Sequence, residues 1–389
     1  MVDPNIDFIN THPYTTSEAV MQAQATSQWS GIAENIVKHS LRIRPDDVVT
    51  INAARHMLDL ADEVARQCRL VGAETATAFW SEQLWIWSIE TLPMEWLRAP
   101  NKVDLALLDV ATAAISMTSM VDPTPMSRIP GERWAANSDG ANPYYKKSLE
   151  RHLRTANVNF SLVTSPRAAA YGIQIKEWKQ NVEDSLTTDF SKLQATGKKL
   201  ANAINGSSAQ VQVTSKNGTN VTFRLAKRMS RNDDGVLDEE DLAAGTYETY
   251  LPAGHLRVAP SEESANGRVA FDLPVLFAGK RVENVSWVLK DGNVTEFTAS
   301  KNADLILDLW KKSTGDKSKF GWFGLGFNPA TRIGFMNDPN VSGAVTLGIG
   351  ENTDLDGRNH STFGFQGTIS KPTVTMDGRV LVKDGTIEL

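Results

Sequence analysis

A chain of 389 residues, 41% hydrophobic and 22% charged, is long enough for two domains of ordinary size and has the make-up of a globular protein. A formal net charge of −6, with acids and bases interspersed, speaks against a phosphate-tracking surface, so nucleic acid is not an expected partner. Residues 1–14 lack an apolar signal core, the most apolar run (105–117) is too short to span a membrane, and the lone Cys68 has no internal partner. Together these predict a cytoplasmic protein with no membrane partner.

In the first part of the chain, helices and strands alternate. Residues 17–39 read as an amphipathic helix, and Arg44-Pro-Asp-Asp reads as a turn before a short buried strand over 48–51. Residues 53–72 read as a second helix, with Leu58, Ala61, Val64 and Cys68 on one stripe and Gly72 as its stop. A strand is expected over 75–80. A tryptophan-rich helical stretch follows, with Trp80, Trp85, Trp87 and Trp96 forming a cleft lid, a dimer interface or plain core. Residues 103–110 and 157–164 read as two further strands. Strand–helix–strand spacing of this kind predicts a parallel sheet covered by helices.

From about residue 168 the texture changes. A long helix is expected over 181–204, then strands over 210–213, 221–225, 268–273, 285–289 and 294–297, with Asn-Gly and Asp-Gly turns between them. A helix over 303–312 interrupts before glycine-rich strands run to residue 389. The expected architecture is an α/β N-terminal domain with a parallel sheet (1–175), followed by a β-rich α+β C-terminal domain (176–389).

Residues 251–260 (LPAGHLRVAP) with 261–267 (SEESANG) are similar to a P-x-G-E-V-x-x-A-P … S-x-x-G segment. Residues 320–329 (FGWFGLGFNP) are similar to A-E-L-G-I-G-x-N-P, 343–350 (GAVTLGIG) to G-T-V-H-I-A-L-G, and 361–378 to S-x-x-H-x-D … D-G. In order and spacing these segments resemble the thermophilic (aminopeptidase T-type) metallopeptidase family. The resemblance implies two metal ions that activate water and polarise a peptide carbonyl. It also implies a homodimer. At the positions where that family has metal ligands, however, this chain carries His255, Trp322, Thr346, Thr353, Gly364 and Gln366. A tryptophan and a glycine supply no donor, so the resemblance implies a fold whose metal site is lost and no cofactor. A second branch with this fold, resembling iron-dependent dihydroxypyridine ring-cleaving dioxygenases, would place its two His and one Asp at Trp322, Gly364 and Gln366.

Within that frame His255 is either a general base and substrate hydrogen-bonding group or a histidine packed into a vacated site. Trp322 is either an aromatic wall for a flat substrate or core packing. Arg358 and His360 either hold an anionic group or belong to an ordinary solvated loop. Ser230–Asp241 imitates a calcium loop but reads better as an acidic turn. The expected function is a metal-independent, hydrolase- or lyase-like enzyme on a small organic substrate with amide, ester or heterocyclic character. In it, His255 is catalytic and Trp322, Thr346, Arg358, His360 and Gln366 bind the substrate. The alternatives are a non-catalytic binding or scaffold protein and, behind it, a residual metallo-aminopeptidase.

Overall fold

The structure, a computed structural model, describes residues 28–277 and 279–389. The N-terminal half builds a five-stranded parallel sheet in the order Glu74–Trp80, Val48–Ala54, Ala113–Met117, Arg154–Val158, Glu248–Leu251. Every neighbouring pair in it is parallel. The fifth strand comes from the second half of the chain, so the two halves share this sheet. Val49, Ile51 and Ala53 are fully buried on the inner strand Val48–Ala54, which is why that segment reads as apolar and β-branched. The helix Leu58–Val71 buries Leu60, Ala61, Val64 and Cys68 and stops at Gly72 (φ 99°), as the sequence predicts.

Four expectations are corrected. Residues 103–110 do not form a strand: Asn101 accepts hydrogen bonds from the amides of Val103 and Asp104 and starts the helix Lys102–Leu107, with Val103 68% exposed. The buried strand comes next, at Ala113–Met117, the end of the same apolar run. The strand expected over 157–164 lies at Arg154–Val158 and turns into a 3₁₀ helix, Asn159–Leu162. The helix expected over 181–204 is two helices, Ile175–Leu186 and Phe190–Ile204. Asp189 caps the second through the amides of Ser191 and Lys192. Of the helix expected over 17–39, Ser30–Glu34 is α-helical and Asn35–Ser40 is a π-helical turn; residues 17–27, like the start of the chain over 1–14, lie outside the described residues.

The second half forms two antiparallel sheets. The larger has eight strands in the order Asn293–Thr298, Ser286–Lys290, Asn266–Ala270, Asn220–Arg224, Gln210–Thr214, Thr373–Met376, Arg379–Lys383, Thr386–Ile387. The smaller has five, in the order Gly364–Ile369, Val345–Gly350, Phe320–Gly326, His255–Val258, Arg231–Asp233. They pack face to face: Phe223 of the larger sheet meets Phe320 and Phe323 at ring separations of 5.1 and 5.3 Å, and Trp287 meets Phe365 at 5.9 Å. The helix Ala303–Lys312 stands as expected. One continuous buried cluster runs from Ile32 to Val382 through both halves. Among the described residues no helix is long and apolar enough to cross a membrane.

One buried ion pair anchors the parallel sheet. Arg154 pairs with Asp47 and donates to the carbonyl of Leu41 at 2.7 Å, while Asp47 also accepts from the Arg44 amide and the Thr112 hydroxyl, each at 2.7 Å. Burial alone would raise the Asp47 carboxyl, but these bonds outweigh it and hold the group below its usual range. Its contribution is therefore present above about pH 4 and lost as the pH falls through the folded value. Asp47→Asn is expected to destabilise the protein by about 3 kcal/mol at pH 7, with the gap to wild type narrowing below about pH 4. Urea unfolding of both proteins at the two pH values checks this.

Candidate functional site

The five-stranded sheet has two unlike faces. One carries Leu256, Val258, Phe323, Leu325, Val345, Leu347, Ile349 and Ile369 and forms the core against the larger sheet. Alternation sends the intervening residues to the opposite face. Cross-strand register places them in rows: Asp233, His255 and Gly326 in one; Arg231, Arg257, Gly324, Thr346 and Thr368 in the next; Trp322, Gly348 and Gln366 beyond. Five positions that the sequence assigns to the family's metal site, His255, Trp322, Thr346, Gly364 and Gln366, thus share one face.

Glycines give this face its shape. A Cβ at Gly324 would overlap Nε2 of His255, and a Cβ at Gly348 would overlap Nε1 of Trp322. Each ring therefore lies flat on a bare stretch of backbone, and the two meet edge-on at 5.8 Å. The guanidinium of Arg257 sits 5.8 Å from the Trp322 ring and 3.4 Å from Asp354 Oδ2. Trp322 is only 8% exposed and packs against Ala259 and Leu355. His255 keeps some exposed surface, but its Nε2 is enclosed and has no hydrogen-bond partner. Burial, helped by the charge of Arg257, pushes its imidazole down to about 3, so the ring is neutral at physiological pH.

The other expected residues are placed less uniformly. Thr346 is fully buried, and its hydroxyl is shared with Thr368 at 2.9 Å. Gln366 is exposed at the far edge of the face. Arg358 and His360 belong to the loop that closes this end of the sheet. The Arg358 amide donates to Glu262 Oε1 at 2.7 Å, and its guanidinium reaches Glu263 at 3.0 Å. The His360 amide donates to Asp316 and its ring is exposed. Buried Glu262, which also pairs with Arg228 at 2.8 Å, ties this loop down. Asn352 and Asn359 reinforce it by donating to the carbonyls of Gly321, Phe320 and Gly350 at 2.8–3.1 Å. Thr353 opens a 3₁₀ turn and bonds Glu351.

Sequence reasoning missed Arg231, Asp233 and Arg257. Their signal was the two-residue spacing from His255 and the pairing with a strand that the acidic texture of 230–241 concealed. That acidic stretch is a short edge strand, a turn and the helix Glu239–Ala243, which Asp238 and Asp241 start with reciprocal caps. Cys68 is buried with its thiol pushed up to about 12, an inert packing residue rather than a nucleophile.

The residues on the face do not fit a two-metal centre. Of the positions the sequence assigns to the family's ligands, His255 alone offers a strong donor, and its Nε2 faces backbone. Among the described residues no three His, Cys, Asp or Glu side chains gather as a metal-binding group. Two cavities, of about 380 and 230 Å³, lie elsewhere: one beside Gln28 and Lys179, the other between Phe297, Trp310 and Phe363.

Comparison with known proteins gives the fold a context. Residues 26–335 match the sequence profile of the family described as Thermophilic metalloprotease (M29). The matched stretch includes His255 and Trp322 but ends before Thr346, Gly364 and Gln366. The structure is similar to wild-type AmpT from Thermus thermophilus, with a TM-score of 0.72 at 17% identity, over 93% of this chain and 99% of that one. It is also similar to the 2,5-dihydroxypyridine dioxygenase from Pseudomonas putida KT2440, with a TM-score of 0.62 at 14% identity, over 93% and 97%. At these identities the likenesses are of fold. No protein of curated function matches in sequence.

Two outcomes follow from the geometry. Gly348→Ala should force Trp322 off the sheet and destabilise the protein by about 1–3 kcal/mol, read by urea unfolding and by a change in near-ultraviolet circular dichroism. Burial pushes the Asp234 carboxyl up to about 7, so between about pH 4 and 7 the folded chain holds a proton that the unfolded chain releases. Stability must therefore fall as the pH rises through that window. Asp234→Asn should gain on wild type by about 1–2 kcal/mol between pH 5 and 7; parallel curves would show that the carboxyl is ionised when folded.

Proposed function

The chain belongs to the thermophilic metalloprotease (M29) family, and we propose that it acts on a small organic molecule without a metal ion, through a hydrolase- or lyase-like reaction at the face bearing His255 and Trp322. The observation that carries this reading is the unpartnered His255 Nε2 beside Trp322, on a sheet face where the family's ligand positions have become polar and aromatic groups. The substrate would bear an amide, ester or heterocyclic carbonyl and lie against the aromatic edge. An imidazole held near pKa 3 is a weak base at neutral pH. Its part in this proposal is that of a neutral hydrogen-bonding group that polarises the carbonyl, rather than the proton carrier expected from sequence. Gln366 stands within the same face to bind the substrate; Thr346, spent on Thr368, serves the floor beneath.

One observation favours a second reading, a non-catalytic binding protein: Nε2 faces the glycine floor, and neither cavity described above reaches it.

A panel of small amides, esters and heterocycles, offered to protein purified with chelator, separates the two. Turnover that survives chelator and falls at least about 100-fold in His255→Ala supports the enzyme. Its pH profile should show no break near 6.5 from His255, since that ring stays neutral down to about pH 3. Turnover that needs added zinc, cobalt, manganese or iron would overturn the metal-free reading. Ligand binding without turnover selects the second reading.

A further inference from the structure

Arg231 and Arg257 are direct register partners on adjacent antiparallel strands, so their side chains leave the same face of the sheet with Cα atoms about 4.5–5.5 Å apart. Like charges directly opposite one another destabilise a sheet. Arg257 meets Asp354 at 3.4 Å, and its charge also reaches the buried carboxyl of Asp233. Among the described residues the Arg231 guanidinium has no acceptor, and it is exposed on the edge strand Arg231–Asp233. Asp233, the nearest carboxylate in sequence on that face, is already taken by the Thr249 hydroxyl at 2.7 Å. The row thus carries two guanidiniums against a single surface carboxylate. The rows that flank it carry the Trp322 ring, over which Arg257 sits, on one side and the enclosed, unpartnered His255 Nε2 on the other.

We propose that the Arg231–Arg257 pair is a carboxylate site, and that the ligand of this face is a planar, ring-bearing carboxylate. Two guanidinium forks on neighbouring strands match the two oxygens of a carboxylate, and burying an anion between them removes the repulsion that the empty pair carries. The ring attached to that carboxylate then lies toward Trp322 and His255, within reach of the imidazole. The inference deepens the function proposed above by naming the substrate class, and it rests on that reading only for the choice of face.

Isothermal titration with benzoate as the probe tests it without requiring turnover. Wild type should bind one benzoate per chain, and neutral benzamide should bind at least tenfold more weakly. Arg231→Gln, at an exposed and unpartnered position, leaves the fold alone and should weaken benzoate at least tenfold; Arg257→Gln should do the same. His255→Ala should bind benzoate within about threefold of wild type, which separates a failed reaction from a failed carboxylate site. Equal affinity for benzoate in Arg231→Gln and wild type would overturn the proposal. So would binding of inorganic phosphate where benzoate fails, which would make the pair a site for tetrahedral anions.

Discussion

The geometry of the candidate site depends on close approach between side chains and bare backbone. Along Phe320–Gly326 and Val345–Gly350, glycines alternate with large apolar residues, so one face of each strand is bulky and the other is nearly flat. The bulky face seals the core against Phe223 and Trp287. The flat face lets His255 and Trp322 lie down where any Cβ would collide. The same alternation therefore fixes the packing of two sheets and the position of the rings that define the site.

A second layer of constraint holds the closing loop. Glu262 is almost wholly buried, yet it accepts from the Arg358 amide and pairs with Arg228, and the side-chain amides of Asn352 and Asn359 reach carbonyls on the strands beneath. Buried polar groups hydrogen-bonded in this way rigidify what they join. Arg358 is consequently a structural clasp as much as a surface cation, and the free positive charge of the face lies instead at Arg231.

These features show that the architecture of this face is held by packing, whatever side chains it carries. The sheet needs alternation and glycine floors, not donors. A tryptophan at 322 fills the space above Gly348 and turns a potential ligand position into apolar surface, and a threonine at 346 disappears into a hydroxyl pair with Thr368. What remains chemically distinctive is a neutral imidazole, an aromatic edge and a pair of arginines.

Much of this was legible from the residues alone. Period-2 patterning and Asn-Gly or Asp-Gly turns located five strands of the larger second-half sheet, because half-buried strands must alternate. The order of the motif segments pointed to the family whose profile the chain matches. The sequence misled where local chemistry overrode pattern: Asn101 capped a helix onto an apolar run, and Asp189 divided a long amphipathic stretch. Only tertiary structure could decide that Glu248–Leu251 completes the N-terminal sheet, that Arg231 stands opposite Arg257, and that His255 is enclosed and neutral. Those facts depend on which strands pair and in what register, and on how much water a fold leaves around a group. No linear pattern encodes either one, because both are set by contacts between residues far apart in the chain.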